Sequence, residues 1–165
     1  MNDLELTLPS KDLKEQIFQY KEEHFRFGDM SVHGSGGLAY FDDFDKWLEH
    51  IEEIGPHTSV FFSRRVSDGK LVGCTKIHHS LTEELMSGGH IAYGIRPSER
   101  QKGYGTEQLA LCLEYAKSIK LGQVIISCDK DNKASARTAI NCGGQLIKEF
   151  SENGIIKQHY RIDLV

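Results

Sequence analysis

The chain has 165 residues, 39% apolar and 27% charged, which suits one soluble domain with a full core. Its formal net charge is −4, and no basic stripe is interleaved with aromatics, so nucleic acid is not an expected partner. No stretch approaches the ~18–20 apolar residues of a membrane span, and the polar, acidic N-terminus resembles neither a signal nor a transit peptide, so a cytoplasmic location is expected.

The N-terminal third should be helical. Ser10 can cap a helix running to about Phe27, with Leu13, Ile17, Tyr20 or Lys21, and Phe25 near one face. The stretch from Gly28 to Ala39 holds Gly28, Gly34, Gly36 and Gly37 and reads as a loop. Asp42 or Asp43 can cap a second helix to about Ile54, with Phe44, Trp47, Leu48 and Ile51 as its apolar stripe, stopped by Gly55-Pro56.

Strands follow. Ser59 to Val66 and Lys70 to His78 flank the turn signal Asp68-Gly69. Ser80 to Gly89 is a long connection with room for a helical turn at Leu81 to Met86. His90 to Arg96 completes a meander. Tyr104 to Ile119 is an amphipathic helix with Leu109, Leu113 and Ala116 inward. Val124 to Cys128 is almost wholly apolar and is expected to be a central strand. Ala134 to Asn141 is a short helix ending at Gly143-Gly144, and Gln145 to Phe150 with Ile156 to Leu164 forms a closing hairpin.

Charge and cysteines divide along this order. Residues 1–60 carry a net −8 and residues 61–165 a net +4. The acidic part would suit a cationic acceptor, or it is a set of solvated helix faces. Cys74, Cys112, Cys128 and Cys142 form no C-x-x-C pair, so buried reduced thiols are expected rather than a disulfide framework.

The chemistry concentrates at Arg100-Gln101-Lys102-Gly103-Tyr104-Gly105, between a strand and a helix N-terminus. The first amides of a helix point outward and its dipole adds partial positive charge, so this junction is suited to phosphate. Glycines allow close backbone approach, and Arg100 and Lys102 add full charge. The spacing is not a P-loop, and a dinucleotide fingerprint would need glycine at Gln108.

The pattern R/Q-x-x-G-x-G/A resembles motif A of the GNAT superfamily of N-acetyltransferases. Ile95-Arg96-Pro97 precedes it as that family's strand-ending element does, and Asp131-Asn132-Lys133-Ala134-Ser135 followed by Gly143-Gly144 is similar to motif B. The likeness covers roughly Val60 to Phe150. It includes Gly88 to Arg100, which is similar to a bacterial subgroup of unassigned acceptor.

The resemblance implies an α/β fold of the α+β kind: one domain over 1–165 with a mixed, mostly antiparallel sheet and helices on both faces. Residues 1–58 would be N-terminal helices on the acceptor side, and 59–165 the acetyl-CoA-binding core. It implies that the 90–96 and 124–128 strands are parallel neighbours that splay apart. Acetyl-CoA would lie between them as co-substrate, with Ile95 at the pantetheine, Arg100, Gln101, Lys102, Gly103, Tyr104, Gly105 and Thr106 at the pyrophosphate, and Asn132 and Ser135 near the arm. A homodimer is common among such proteins.

Transfer to an amine needs a neutral nucleophile, a stabilised oxyanion and a protonated leaving thiolate. A lysine-like amine with a pKa of ~10.4 is only about one part in a thousand neutral at pH 7, so a base matters. His90, at the head of the motif-A strand, is the first candidate, or else a partly buried strand-end histidine bonded to backbone; Tyr93, which could equally be a wall of the acceptor pocket, and Glu99 stand behind it. The tyrosine that many members place seven residues after the motif-B asparagine is Ala139 here; Ser135, three after Asn132, resembles a serine found there in the ribosomal-protein acetyltransferase branch, which implies a hydroxyl that protonates the thiolate or holds the pantetheine. No metal is expected: adjacent His78 and His79 point to opposite strand faces, and nothing completes a tetrahedral set. The expected activity is therefore acetyl transfer to a primary amine by direct transfer in a ternary complex. The alternatives are a non-catalytic acetyl-CoA sensor, a hydroxyl or hydroxylamine acceptor, or a longer acyl group.

Overall fold

The computed structural model describes residues 3–165. The elements in chain order are β1 (Leu4–Thr7), α1 (Lys14–Phe27), α2 (Phe44–Ile54), β2 (Thr58–Arg65), β3 (Leu71–His78), β4 (Ile91–Ile95), α3 (Tyr104–Ser118), β5 (Gln123–Asp129), α4 (Lys133–Asn141), β6 (Gln145–Glu152) and β7 (Ile155–Asp163). Strand β1 was not expected. Four residues carry only two turns of period-2 alternation, too short a signal to read, and β1 exists because it pairs antiparallel with β2. Ser10 makes no side-chain capping bond; a 3-10 turn at Lys11–Leu13 leads into α1 instead. The helical turn foreseen at 81–86 sits at Met86–Gly88 as a 3-10 turn.

Other local signals hold. The Asp43 carboxylate accepts the N–H groups of Asp45 (2.9 Å) and Lys46 (3.3 Å) at the start of α2. On α1 the buried face is Ile17, Tyr20 and His24, which settles Tyr20 over Lys21. On α3 it includes Leu109, Leu113 and Ala116, joined by Gln108 and Cys112.

The strands form two antiparallel sheets, ordered β1-β2-β3-β4 and β5-β7-β6. Beneath α1 and α2, Ile17, Tyr20, Trp47 and Ile51 pack on Val60, Phe62 and Cys74. On the other face, Leu109, Cys112 and Ala139 of α3 and α4 pack on Ile77, Ile91, Ile126 and Tyr160. The N-terminal helices share their core with β2 and β3, α3 and α4 cover strands of both sheets, and β6 stays largely exposed. Three of the cysteines are buried and all four are free.

Strand β5, expected to be central, lies at the seam between the sheets, bonded to β7 on one side and facing β4 on the other. The seam is closed at one point only. His90 N–H donates to Ile125 O (2.8 Å), Ile125 N–H donates to His90 Nδ1 (2.9 Å), and Gly89 bridges Ile126. Beyond it the strands part.

Candidate active site

A cavity of about 320 Å³ occupies the opening between β4 and β5. Ile91, Ala92 and Tyr93 line one wall and Ser127, Cys128 and Asp129 the other. The bridge of Gly89 to Ile126 is locally antiparallel, but beyond it both lining series ascend away from the clasp at 90 and 125, as in strands that run the same way and diverge. Strand β4 pairs only with β3. Its second edge therefore offers backbone N–H and C=O groups along the cleft, which an extended, amide-bearing ligand could pair with as an added strand.

The cleft wall leads to the glycine-containing loop. Two residues beyond Tyr93, β4 ends at Ile95, and Gly105 in the first turn of α3 packs on it: a Cβ there would stand 3.3 Å from Thr138 Oγ1 and 3.9 Å from Ile95 Cγ1. Gly103 precedes α3 at φ 86°, and no side chain caps the helix. Gln101 is also left-handed, at φ 62°. The uncapped first turn is what an anion would meet. Asn141 Nδ2 reaches the Thr106 hydroxyl at 3.4 Å.

The two cations of this loop are tethered rather than loose. Arg100 donates from Nε to Ile95 O (2.9 Å), faces Asp29 at 3.7 Å and lies over the Phe27 ring; the Ile95 carbonyl is thereby used within the protein. Lys102 pairs with Glu99 at 3.0 Å. Glu99 itself is only 4% exposed and also binds Arg65 (2.7 Å) and Lys70 (2.9 Å). Burial opposes its ionisation, but the bonds from Lys70, Lys102 and Arg65 prevail and hold its pKa at about 2. Glu99 is an anchor for the loop and not a base.

At the far wall, the Asn132 carboxamide oxygen caps α4 by accepting Ser135 N–H (3.1 Å). Tyr93 Oη lies 3.0 Å from Ser135 Oγ and donates to Ser135 O (3.2 Å). Burial raises the Tyr93 pKa to about 12, so it stays a hydrogen-bond donor. Tyr93, Ser135 and Asn132 thus meet at one side of the cleft.

His90 does not join them. It is 8% exposed and its ring serves the seam: Nδ1 accepts Ile125 N–H, so the neutral ring carries its proton on Nε2. Burial also lowers its pKa. The lone pair that a base at the head of β4 would need is spent on holding the strands together. His78 and His79 bond Thr58 (3.0 Å) and Ser59 (2.7 Å) respectively, and among the described residues no group of three His, Cys, Asp or Glu is placed to hold a metal.

The cleft also gathers residues that the sequence did not single out: His33, Ser87, Glu152 and Lys157. They come from three loops or hairpins with no periodic or motif signal, so only the tertiary structure brings them together. Part of the N-terminal acidic excess is used internally, with Glu23 on Arg96 (2.9 Å) and Asp29 on Arg100.

The domain thus has three layers, with helices on both faces of the strands, and its diverging strands run up to an uncapped helix N-terminus suited to an extended ligand with a phosphate end. Residues 4–145 match the acetyltransferase (GNAT) domain family model, and the chain belongs to that family. No curated protein matches the chain by sequence. Among solved structures it is similar to the microcin C7 self-immunity acetyltransferase MccE in complex with acetyl-CoA and AMP, at 18% identity and TM-score 0.74, over 99% of this chain and 93% of that one. It is likewise similar to RimL, the ribosomal L7/L12 α-N-protein acetyltransferase in complex with coenzyme A (16%, TM-score 0.74, 99% and 96%). A third is yncA of Salmonella typhimurium with its cofactor acetyl-CoA (15%, TM-score 0.69, 99% and 95%). No described helix is long and apolar enough to cross a membrane.

Proposed function

We propose that this chain is an N-acetyltransferase that takes acetyl-CoA as donor and passes the acetyl group directly to a primary amine of a small molecule or a protein. The observation that carries the reading is the continuity of the cleft, the free edge of β4 and the uncapped first turn of α3. An extended arm with a phosphate end fits that path. The first-turn amides from Gln101 to Thr106 would hold the pyrophosphate, and the β4 edge would pair with the arm's amides. Acetyl-CoA supplies the acetyl group as a thioester. A β4 N–H aimed at the thioester oxygen would stabilise the charge that develops there. The coenzyme-bound relatives and the α-N-protein acetyltransferase likeness support donor and acceptor class respectively.

Tyr93 takes the place left by the tyrosine absent at Ala139. Its hydroxyl, which can accept from Ser135 Oγ, would turn its one proton from Ser135 O to the departing thiolate. Tyr93→Phe should lower kcat roughly tenfold, the loss of one bond to a charged group, while acetyl-CoA affinity holds. An unaltered kcat would remove Tyr93 from the chemistry.

The test of the whole reading is acetyl-CoA-dependent thiol release over a panel of polyamines, aminoglycosides, amino acids and lysine- or N-terminal peptides, against a blank without acceptor. At least one amine should exceed the blank. Gly103→Glu, which sets a carboxylate at the first turn of α3, should weaken acetyl-CoA binding roughly 100-fold by charge repulsion; undiminished binding would show that the phosphates lie elsewhere. Silence across the panel with intact acetyl-CoA binding would favour a sensor.

A further inference from the structure

The cleft has an imidazole that no motif marks. His33 lies in the loop between α1 and α2, is exposed, and lines the same cavity as Asn132 and Ser135 at the start of α4. The loop approaches from the face covered by α1 and α2, whereas α4 belongs to the other face. We propose that His33 is the base that takes the proton from the acceptor amine. This rests on the acetyl-transfer reading above.

The loop is built to hold that position. Asp29 accepts Ser31 N–H (3.1 Å), the Ser31 hydroxyl (2.9 Å) and Val32 N–H (3.3 Å). Ser35 Oγ donates to Val32 O (2.6 Å), Trp47 Nε1 donates to Ser35 O (3.0 Å), and Cys74 Sγ donates to Gly34 O (3.1 Å). The backbone of the loop rests directly on β4. A Cβ at Gly94 would stand 2.9 Å from His33 O, and one at Gly34 would stand 2.9 Å from Tyr93 Cα and 2.6 Å from Cys74 O. Val32, one residue earlier, is buried and left-handed at φ 48°. A β-branched residue there costs about 1–2 kcal/mol, and such strain persists only where the surroundings impose it.

The other candidates are committed elsewhere: His90 to the clasp and Glu99 to its three cations. The titratable groups sharing the cavity with His33 are Tyr93 on β4, Cys128 and Asp129 on β5, Lys157 on β7, and Glu152 at the end of β6, with Asp29 on its own loop. Asp129 and Lys157 pair at 2.9 Å. An imidazole exchanges protons near neutral pH far more readily than a free carboxylate does.

The step balances simply. The acceptor ammonium gives one proton to His33, which passes it to solvent. The neutral nitrogen forms a C–N bond to the acetyl carbon as the C–S bond breaks. The second N–H proton leaves the nitrogen and ends on the coenzyme A thiol.

The experiment compares wild type with His33→Ala and His33→Gln on an amine from the panel and on hydroxylamine, a nucleophile already neutral at pH 7. With the amine, kcat/KM should fall about 100-fold and lose its acid limb, with circular dichroism and acetyl-CoA affinity as in wild type. Added imidazole should recover part of the His33→Ala rate. With hydroxylamine the deficit should shrink well below that seen with the amine. Equal losses with both nucleophiles, no loss with either, or a loss confined to Glu152→Gln would overturn the assignment. A wild-type enzyme inert toward every nucleophile would sink the transfer reading itself, and the role of His33 with it.

Discussion

Gly89→Ala should both destabilise the protein and abolish tight acetyl-CoA binding. Gly89 sits at φ 74°, ψ −176°, a conformation that is essentially glycine's alone. A Cβ there would stand 2.6 Å from Ile125 O and 3.1 Å from Ser127 N. Both are backbone atoms of β5, so the clash is relieved only by moving the strand. Movement breaks the bonds His90 N–H to Ile125 O and Ile125 N–H to His90 Nδ1. Left-handed strain of about 1–2 kcal/mol and two hydrogen bonds of about 1 kcal/mol each sum to roughly 3–4 kcal/mol. The clasp also sets where the strands begin to part, so the cleft loses its shape. Urea denaturation and calorimetric titration with acetyl-CoA would measure both effects. Gly88→Ala is the stability control, because a Cβ there meets nothing within 4 Å. Matching midpoints and affinities in Gly89→Ala and wild type would refute the clasp.

Glu99→Gln should cost about 2 kcal/mol at pH 7 and flatten the acid side of the stability curve. The folded pKa of Glu99, about 2, lies below the unfolded value of ~4.3. Its contribution is therefore present above pH ~4.3 and is lost as pH falls toward 2. The full shift corresponds to ~3 kcal/mol, reduced here because Lys102 is 52% exposed and Lys70 34%, so solvent screens part of the attraction. The variant leaves Arg65, Lys70 and Lys102 facing one another without their anion. Thermal denaturation from pH 7 to 2.5 would check this. A wild-type slope in the variant would show that the cluster is held by something other than the Glu99 charge.

The same residues show how far the sequence carried. The strand, loop and helix around Arg100 to Gly105 were legible because local chemistry dictates them: apolar alternation, glycines and an apolar helical stripe occupy contiguous positions. The role of His90 was not legible. Its position at the head of β4 allowed either a base or a buried histidine bonded to backbone, and the choice depends on Ile125, 35 residues away. Glu99 was one candidate base among several until Arg65, Lys70 and Lys102 closed around it. His33 carried no signal, since a histidine in a glycine-rich loop has no periodicity to assign its direction.

By itself, the sequence determined the succession of elements from α1 to β7, the inward faces of α2 and α3, the phosphate-suited junction before α3, and the family resemblance borne by residues 88–105 and 131–144. These follow from near-neighbour rules: capping, helical and strand periodicity, and the conformational range of glycine. Tertiary structure alone decided that β4 and β5 are clasped at one end and apart at the other. It also paired Tyr93 with Ser135, tethered Arg100 and Lys102, and seated the 28–39 loop on β4 with His33 in the cleft. Each of these depends on contacts between segments far apart in the chain, and no local preference encodes which distant backbone will lie 3 Å away.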